Sequence, residues 1–327
     1  MQIGSERKYK GDKSMGTEYD FIINPKARSG LGEMVWNRLA PELKKKKVHY
    51  RAHLTEGPKH ARRIAEHCTS DGQSRTIVVL GGDGTVNEVV NGICDLGKVT
   101  LGYIPVGSGN DFARGLGLPS TPEEALRVVL CPGKIISMDV GKLTWNGDPG
   151  RTRRFLVSAG IGFDAAVCHE VCVSRWKKIL NKIGLGKLSY AAVALDRLRK
   201  DRPVHMSLSL PDGSQKIFKD TYFAAFMNLK YEGGGFAFCP DASPEDGLLD
   251  ILVAHDLSRL KILFLLPLAF WGKHVGARGV TILKCRTALA ETDRPLVLHT
   301  DGEPSFPRKK IEVGIMEEKL RVITGEK

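Results

Sequence analysis

The chain has 327 residues, of which 42% are hydrophobic and 26% charged, and a formal net charge of +12. This length suits two domains with cores of their own, and the composition excludes a largely disordered chain. The positive charge favours anionic partners: nucleic acid, a nucleotide or an anionic membrane surface.

The cysteines and the apolar runs limit where the protein can work. The 7 cysteines are scattered without a CxxC pair, which predicts a reducing compartment and argues against a zinc site or disulfide framework. The polar N-terminus predicts no signal peptide. The longest apolar run, Ile262–Trp271, contains Pro267 and is far shorter than the roughly 20 residues of a spanning helix. We expect a cytoplasmic protein that does not cross a membrane.

Strand and helix patterns alternate through the first part of the chain, after residues 1–18, which we predict to be a flexible tail. Such alternation with short loops predicts a parallel sheet covered by helices. The predicted strands are 19–25, 48–55, 76–80 and 99–106, and the predicted helices are 33–43, 58–68, 86–93 and 121–130.

The stretch Arg75–Ile93 is predicted to form a strand, a tight GGDGT loop and a helix. The loop glycines permit backbone angles that a Cβ forbids, so N–H groups could approach a ligand closely. A helix N-terminus suits phosphate, Thr85 adds a hydroxyl donor, and Asp83 could organise a metal or water. The loop matches neither a Walker A nor a dinucleotide motif. We interpret it as a phosphate site that also manages a cation; the alternative is an ordinary glycine-rich turn.

A second glycine loop, Gly107–Pro119, opens another helix. Asn110 or Asp111 would suit the N-cap of that helix. The functional hypothesis puts Ser108 near a nucleotide phosphate and Asp111 beside the metal or the acceptor, whereas the alternative is a plain cap. Because both glycine loops and the loop after 19–25 follow strands, we expect all three at one edge of the sheet.

Beyond the helix at 121–130 the pattern changes to mostly antiparallel β-structure, which predicts a sandwich. Asn146–Gly150 and Pro211–Gly213 are hairpin signals. Two helical patterns interrupt the strands, at Ala165–Leu198 and Leu257–Gly272. We place the change near Ser137. The predicted fold is therefore an N-terminal α/β nucleotide-binding domain (19–137) followed by a mostly antiparallel β-sandwich domain (138–327), with the return of the C-terminal segment to the first domain left open.

Two acidic motifs lie in the second half. In DASPEDGLLDI, Ser243, Asp246 and the carbonyl of Leu248 could reach one hard cation, which prefers oxygen ligands; the alternative is a solvated acidic turn. In TDGEPS, Asp301 and Glu303 follow an apolar strand. Glu303 is our candidate base for an alcohol, since phosphoryl transfer needs mainly positioning, a cation and a proton acceptor. A plain Asp-Gly hairpin turn is the alternative.

Two segments could meet a lipid surface. Ser174–Leu188 mixes five basic residues with apolar ones, and Ile262–Trp271 is flanked by Lys261 and Lys273. This composition suits a helix at an anionic bilayer, although core-facing helices with solvated lysines explain it as well. The GIGFDA motif (Gly160–Ala165) is predicted to be a close-packing turn rather than a dinucleotide site.

Taken in order, GGDGTVNEVVNG, IPVGSGNDFARGLGLP, GIGFDA, DASPEDGLLDI and TDGEP resemble the diacylglycerol kinase catalytic family of lipid kinases, in particular the soluble bacterial type. The resemblance runs from INPKARSG to LRVIT. It implies a nucleotide-binding α/β domain related to NAD kinases and phosphofructokinases, followed by a β-sandwich domain. It also implies an active site in the cleft between them.

The resemblance also implies roles for individual residues. Glu303 matches the general base for the lipid hydroxyl, and Asp83 and Asp111 match the acidic residues of a catalytic Mg²⁺ and water network. Ser243, Asp246 and Leu248 match a structural Mg²⁺ site. Lys26 and Arg28 are plausible phosphate contacts, but the longer NPKARSG loop makes their alignment uncertain. The positions that match nucleotide contacts are Asn24, Thr55, Gly81, Gly82, Asp83, Gly84, Thr85, Val86, Asn87 and Ser108.

The sequence therefore predicts an ATP- and Mg²⁺-dependent kinase that phosphorylates diacylglycerol to phosphatidic acid, in peripheral contact with an anionic membrane. Ceramide or sphingosine, undecaprenol and phosphatidylglycerol remain alternative acceptors. An NAD kinase is the nearest enzymatic rival. A nucleic-acid-binding protein would explain the charge but not the three strand-end loops, so we expect no nucleic-acid partner. Family members are often dimers, which leaves a homodimer open.

Overall fold

The computed structural model describes residues 18–145, 152–167 and 196–325. The helices are α1 (Leu31–Lys45), α2 (His60–Thr69), α3 (Asp83–Gly92), α4 (Asp111–Leu116), α5 (Pro122–Leu130) and α6 (Arg259–Ala269), with a 3₁₀ turn at Leu96–Lys98 and short helical segments at 163–167 and 196–200. The strands are β1 (Tyr19–Ile23), β2 (Tyr50–Leu54), β3 (Arg75–Gly81), β4 (Val99–Pro105), β5 (Lys134–Met138), β6 (Gly141–Trp145), β7 (Thr152–Phe155), β8 (Ser158–Gly162), β9 (Val204–Ser209), β10 (Gln215–Thr221), β11 (Phe223–Met227), β12 (Leu249–Ala254), β13 (Val280–Cys285), β14 (Thr287–Thr300), β15 (Glu303–Ile315) and β16 (Leu320–Thr324).

The first sheet has six strands in the order β2-β1-β3-β4-β16-β5. β1 to β4 and β16 run parallel, and β5 pairs antiparallel with β16. Successive strand residues face opposite sides: Ile22 packs in the core on the α2 and α3 side, whereas Phe21 and Ile23 pack toward α1 and α5. The predicted α/β architecture with helices on both faces is confirmed.

The segment 134–145 divides into β5 and β6, which lie in different sheets. Asp139 lies at the break and is fully buried. Its carboxylate accepts a hydrogen bond from the Gly247 N–H at 2.7 Å and pairs with Lys319 Nζ at 2.9 Å. These contacts give a buried acid its partners and hold the chain where it leaves the first sheet.

The second sheet has ten strands along the path β13-β12-β11-β8-β14-β15-β6-β7, with β9 on β14 and β10 on β9. Its pairings are antiparallel, and β14 pairs with β15, β8 and β9 along its 14 residues. The sheet surrounds an apolar core that includes Phe155, Phe226 and Leu298. The predicted antiparallel second half is confirmed, as is the hairpin at Pro211–Gly213 between β9 and β10.

The remaining predictions for the second half concern an edge strand, a helix and segments outside the described residues. The strand β13, at the edge of the sheet, was not predicted. Four of its residues in a row are half-exposed, so it does not alternate between buried and exposed positions. The predicted helix at 257–272 is confirmed as α6, whose N-cap Ser258 accepts from Lys261 N–H. Within the described ranges, no helix combines the length and apolar character that a membrane crossing requires. The predicted tail, the turn at 146–150 and the basic stretch 174–188 lie outside the described residues.

Candidate active site

The residues expected to bind a nucleotide gather at the carboxyl edge of the first sheet. The strands β2, β1, β3 and β4 are adjacent and parallel, so the segments that follow them meet at one edge. The loop after β3 touches the loop after β4 directly, because a Cβ placed on Gly82 would lie 3.1 Å from Gly107 Cα. The expected convergence of the glycine loops is confirmed. Thr55, Asn24 and Gly82 directly follow β2, β1 and β3, and Ser108 lies in the loop that follows β4.

The GGDGT glycines are needed for close packing and not for unusual backbone angles. The helix α3 begins at Asp83, directly after Gly82, so the predicted separate loop is wrong. Gly82 has φ −98°, and neither Gly81 nor Gly84 has a positive φ. A Cβ on Gly81 would instead lie 2.7 Å from the Thr85 side chain. These positions need glycine because neighbouring groups approach the backbone closely.

Two helix N-termini open onto this edge. The N-caps of α1 and α3 are Gly30 and Gly82, which provide no side-chain cap. In α1 the first N–H groups donate to carbonyls of the loop after β1, so it is the first turn of α3 that offers N–H groups to an anion. A cavity of about 460 Å³ beside α1 is lined by Lys26, Ser29 and Glu33 among others. The Lys26 ammonium donates to the carbonyl of Glu56 at 3.0 Å, which places its charge at the rim. The roles of Lys26 and Arg28 stay predictions.

Asn24 fixes the hydroxyl of Thr85. Its amide donates to Thr85 Oγ1 at 3.0 Å, and its Oδ1 accepts from the Lys26 backbone N–H at 3.1 Å. Since the Thr85 oxygen accepts from Asn24, its own hydrogen is free to be donated elsewhere. The pair thus links the end of β1 to the first turn of α3.

Asp83 caps α4. Its two carboxylate oxygens accept from the backbone N–H groups of Asp111 at 3.1 Å and Phe112 at 3.2 Å. Asn110 is the N-cap residue, as expected, but its side chain does not bond to the helix. Its Oδ1 accepts from the Gly107 N–H at 2.8 Å, and Asp83 accepts from the helical donors instead. Burial raises the pKa of Asp83, and the backbone hydrogen bonds oppose that rise.

Asp111 is a second buried carboxylate in this region. It accepts from Arg114 Nη1 at 2.6 Å and from the Gly234 N–H at 2.7 Å. Burial, followed by the nearby charge of Asp83, raises the pKa of Asp111 to about 7. A Cβ placed on Gly109 would lie 3.2 Å from Asp83 Oδ2 and 3.5 Å from Asp111 Oδ2. Glycine therefore keeps a space open between two carboxylates, and hard oxygen donors around such a space fit a divalent cation such as Mg²⁺.

Glu303 meets the glycine motif from the second sheet. It begins β15, after the Asp301–Gly302 turn, and a Cβ placed on Gly84 would lie 2.6 Å from Glu303 Oε1. The carboxylate therefore lies against the first turn of α3, one residue from Asp83. The sequence-based candidate base and the candidate metal carboxylates share one cleft.

Asp301 fastens the two sheets together, a role that the sequence did not reveal. Its carboxylate accepts from the backbone N–H groups of Leu156, Val157 and Ser158, at 2.8 Å for Val157. It also accepts from the Asn87 amide on α3 at 2.8 Å. Burial raises the pKa of Asp301, against the effect of these hydrogen bonds. Asp301 thereby sets the position of the turn that carries Glu303.

Neighbouring residues of α3 are held in the same way. Arg154 on β7 donates from Nη1 to the carbonyls of Val90 at 2.9 Å and Ile93 at 2.6 Å, which caps the helix C-terminus. Asn87 also donates to the Arg154 carbonyl at 3.1 Å. Val86 is buried in the core, so only its backbone could contact a nucleotide. The nucleotide assignments of Asn87 and Val86 stay predictions.

A buried charged triad lies behind Glu303. Nε2 of His299 is 3.1 Å from Asp164 Oδ2 and 3.0 Å from Glu232 Oε1. Burial alone would lower the pKa of His299, but the two carboxylates raise it to about 10. A Cβ on Gly160 would lie 2.2 Å from both His299 Nε2 and Asp164 Oδ2. Close packing at GIGFDA is therefore confirmed, but its glycines lie at the end of β8 and not in a turn. The triad links the strand before Glu303 to the segment that donates to Asp111.

The predicted structural Mg²⁺ residues lie elsewhere in the second half, beside an ammonium group. Asp246 Oδ1 accepts from the Leu248 N–H at 3.0 Å. Nζ of Lys284 lies 3.6 Å from Asp246 Oδ2 and 3.4 Å from Asp250 Oδ2, and it donates to the Asp241 carbonyl. Lys284 thus supplies a positive charge where a metal ion would compete for the same oxygens. The metal assignment of Ser243, Asp246 and Leu248 stays a prediction.

The fold joins an α/β unit, with glycine-rich segments at its strand ends, to an antiparallel β-unit that brings the acid Glu303 to the same edge. Comparisons with known proteins give this class a family. The diacylglycerol kinase catalytic domain matches residues 18–143, and the YegS C-terminal NAD kinase beta sandwich-like domain matches residues 157–324. The chain belongs to the diacylglycerol kinase catalytic-domain family, a family of lipid kinases, in its YegS-like form.

Individual relatives agree with this assignment. The chain is 32% identical to YtlR of Bacillus subtilis (strain 168) over 86% of its own length and 92% of that protein. It is 33% identical to a diacylglycerol kinase of Mycobacterium tuberculosis (strain H37Rv) over 71% of each chain. In fold it is similar to a diacylglycerol kinase from Bacillus anthracis, with a TM-score of 0.68 at 22% identity over 96% and 98% of the chains. An Archaeoglobus fulgidus NAD kinase shares the fold more distantly, with a TM-score of 0.53 at 13% identity over 95% and 94% of the chains.

Proposed function

We propose that this protein is an ATP- and Mg²⁺-dependent kinase that phosphorylates diacylglycerol to phosphatidic acid. The observation that carries the proposal is the contact between the Glu303 carboxylate and Gly84 at the start of α3. It brings an acid from the second sheet to the helix N-terminus that suits a phosphate, next to two buried carboxylates. Membership of a lipid kinase family supports the same conclusion.

The nucleotide would lie on the carboxyl edge of the first sheet. There the uncapped N-terminus of α3 would offer N–H groups to phosphates, and Thr85 has a hydroxyl hydrogen to donate. Lys26 and Arg28 would add positive charge from the loop after β1. The candidate nucleotide contacts remain Asn24, Thr55, residues 81–87 and Ser108.

Asp83 and Asp111 would hold Mg²⁺, whose chemistry is to neutralise charge on the transferring phosphates. The space that Gly109 keeps open between their oxygens supports this assignment. The raised pKa of Asp111 suits it also, because Arg114 compensates only one of the two neighbouring carboxylates and a cation would compensate the other. Asp83 would have a second task, since its hydrogen bonds to α4 orient that helix.

Glu303 would act on the acceptor. Its carboxylate takes the proton of the lipid hydroxyl as the hydroxyl oxygen bonds to the γ-phosphorus. The bond between the γ-phosphorus and the β–γ bridging oxygen breaks, and its electron pair leaves with ADP. Glu303 then returns the proton to solvent. Asp301 would keep Glu303 in position through its hydrogen bonds to residues 156–158.

The acceptor is the least constrained part of the proposal. Diacylglycerol is favoured by the names of the relatives, and ceramide or sphingosine, undecaprenol and phosphatidylglycerol remain alternatives. NAD kinase is a second candidate because an NAD kinase shares the fold. We propose that the protein works as a cytoplasmic enzyme in peripheral contact with an anionic membrane, and a homodimer remains open.

The test uses radiolabelled ATP and mixed micelles that contain each lipid in turn, with NAD as a soluble acceptor. We expect label in phosphatidic acid, loss of transfer on chelation, and recovery on addition of Mg²⁺. Glu303→Gln provides the inactive control. Label on NAD with none on any lipid would reject the proposal in favour of the second candidate.

A further inference from the structure

The helix α6 is apolar on both its buried and its exposed side. Ile262 and Ala269 are buried against the face of β11 and β12, as expected of a surface helix. Its opposite side exposes Leu260 by 70% and Phe264 by 73%, and Trp271, just beyond its end, by 70%. A helix that is apolar all round is normally buried, and a large exposed apolar patch marks an interaction site. We name this patch the α6 surface: Leu260, Leu263, Phe264, Leu268, Phe270 and Trp271.

Basic residues flank the α6 surface without any acid among them. From Leu257 to Ala290 the sequence contains no Asp or Glu. Two contacts bring basic residues to the two ends of the helix: Lys261 Nζ donates to the Arg278 carbonyl at 2.6 Å, and the Lys273 N–H donates to the Leu268 carbonyl at 3.0 Å. Apolar side chains framed by lysine and arginine match the boundary between anionic headgroups and acyl chains.

The combination of basic and apolar residues indicates which kind of partner binds the α6 surface. In a symmetric contact between two copies, the basic residues that flank the α6 surface in both chains would face each other, which is unfavourable. A nucleic acid would use the cations but would leave Leu260 and Leu263 without an apolar partner. An anionic lipid bilayer satisfies both features at once, since it offers negative headgroups above hydrocarbon.

The α6 surface is joined to the candidate active site by a short segment. The ring of Phe270 lies 3.9 Å from that of Phe236, centroid to centroid, and the Ala237 N–H donates to the Ala269 carbonyl at 2.8 Å. Two residues before Phe236, the Gly234 N–H donates to the Asp111 carboxylate. Residues 234–237 therefore connect the exposed helix to a carboxylate of the site.

We propose that α6 is the membrane-docking element, lying in the interface of an anionic bilayer with the α6 surface inserted at the level of the upper acyl chains. At about 1.5 Å per residue an 11-residue helix is too short to cross the bilayer, so it lies along the surface. The docking itself depends on the α6 surface alone. The further statement that it brings lipid alcohols to the site rests on the proposed function.

The first test measures flotation of the full chain with vesicles of phosphatidylcholine in which a third of the lipid is phosphatidylglycerol. Phe264→Ser/Trp271→Ser should weaken binding about tenfold for each aromatic side chain that is no longer buried in lipid. Met34→Ser/Ile217→Ser is the matched control, because these apolar side chains are exposed by 65% and 70% but lie on α1 and β10. The control should bind like the native chain.

The second test varies the charge. Lys273→Gln/Arg278→Gln should weaken binding to the anionic vesicles about fivefold for each charge removed. The native chain should lose affinity when salt is added or when phosphatidylglycerol is omitted, and the double variant should respond less to either change. Equal native binding with and without phosphatidylglycerol would overturn the assignment to an anionic surface.

The remaining outcomes distinguish docking from catalysis. Native affinity of Phe264→Ser/Trp271→Ser for vesicles would overturn the docking proposal, as would a dimer of the native chain that this variant converts to monomers in sedimentation. A native chain that binds vesicles through α6 but phosphorylates no lipid would support docking and reject the proposed function. If the docking variant phosphorylates dispersed short-chain diacylglycerol at the native rate but diacylglycerol in vesicles slowly, both proposals stand.

Discussion

Two pairs of carboxylates in this protein are arranged in opposite ways. In the second half, the Lys284 ammonium lies between Asp246 and Asp250, 3.6 and 3.4 Å from their oxygens. At the edge of the first sheet, Arg114 pairs with Asp111, whereas Asp83 is held by backbone N–H groups. One pair encloses a cation of the chain itself, and the other encloses a space that Gly109 keeps open.

The difference shows how one residue type serves two purposes. Lys284 is 40% exposed, so its pair is partly screened by water and mainly structural. Asp111 is buried and Asp83 half-buried, and the pKa of Asp111 is raised to about 7. Arg114 supplies one positive charge beside two carboxylates, and the remaining negative charge favours a ligand that neutralises it. The Asp83–Asp111 pair is therefore suited to an incoming cation, whereas the Asp246–Asp250 pair already contains one.

The largest expected effect concerns Glu303, the acid that the second sheet adds to the open pair. Glu303→Gln keeps the shape of the side chain but cannot accept a proton, so kcat should fall about 10³-fold while the KM for ATP stays within about twofold. Steady-state kinetics in mixed lipid micelles would measure both. Glu312→Gln, on the same strand and exposed, should behave like the native chain. Native turnover by Glu303→Gln would remove the proposed base.

The next prediction compares the two pairs directly. Asp111→Asn should lower kcat/KM about 10²-fold and raise the Mg²⁺ concentration needed for activity. It should nevertheless raise the Tm, because it removes one of two neighbouring carboxylates that share the single positive charge of Arg114. Asp250→Asn should leave activity within about twofold and lower the free energy of unfolding by about 1 kcal/mol. Activity assays and thermal unfolding of both variants would test this. If the two variants lost activity equally, the division between open and filled pairs would be wrong.

The pH dependence of stability is a third test. The pKa of Asp111 is raised from 3.8 to about 7 in the folded protein, so the folded state binds its proton more tightly than the unfolded state does. Its contribution to stability is therefore fully present below about pH 4 and is lost as the pH rises to about 7. Excess Mg²⁺ should reduce this loss, because a cation favours the ionised form. Thermal unfolding from pH 5 to 8 should show a smaller slope for Asp111→Asn than for the native chain, and equal slopes would contradict the assignment.

Much of the first sheet could be predicted from sequence because its signals are local. Phe21, Ile22 and Ile23 form a short buried strand whose residues alternate between two helical layers. The glycine motifs directly follow such strands. Parallel strands then bring the loops to one edge, so the candidate nucleotide positions could be grouped without a structure.

The contacts that complete the site come from distant parts of the chain. Asp301 receives its hydrogen bonds from Val157, 144 residues earlier, and from Asn87, 214 residues earlier. The side chain that caps α4 is Asp83, 28 residues before it, so the local pattern identified the N-cap position, Asn110, but not the capping group. Nothing around Lys284 in the sequence distinguishes it from a solvated lysine. The tertiary partners of a polar residue decide its role, and no local pattern records them.

The smallest expected effect tests the filled pair. Lys284→Met leaves Asp246 and Asp250 without their ammonium and should lower the free energy of unfolding by about 1 kcal/mol, a modest value because the pair is partly exposed. Lys310→Met is the matched control, since Lys310 pairs with Glu291 on the surface at 3.5 Å. If Lys284 acts as the cation here, Ca²⁺ or Mg²⁺ should restore the Tm of Lys284→Met. The Asp111→Asn variant keeps Lys284 but has lost one of the two carboxylates of the open pair. Addition of a chelator should therefore leave the Tm of this variant unchanged. A marked loss of Tm on chelation in that background would instead support the structural metal site predicted at Ser243, Asp246 and Leu248, since a bound divalent cation would then be needed despite the lysine.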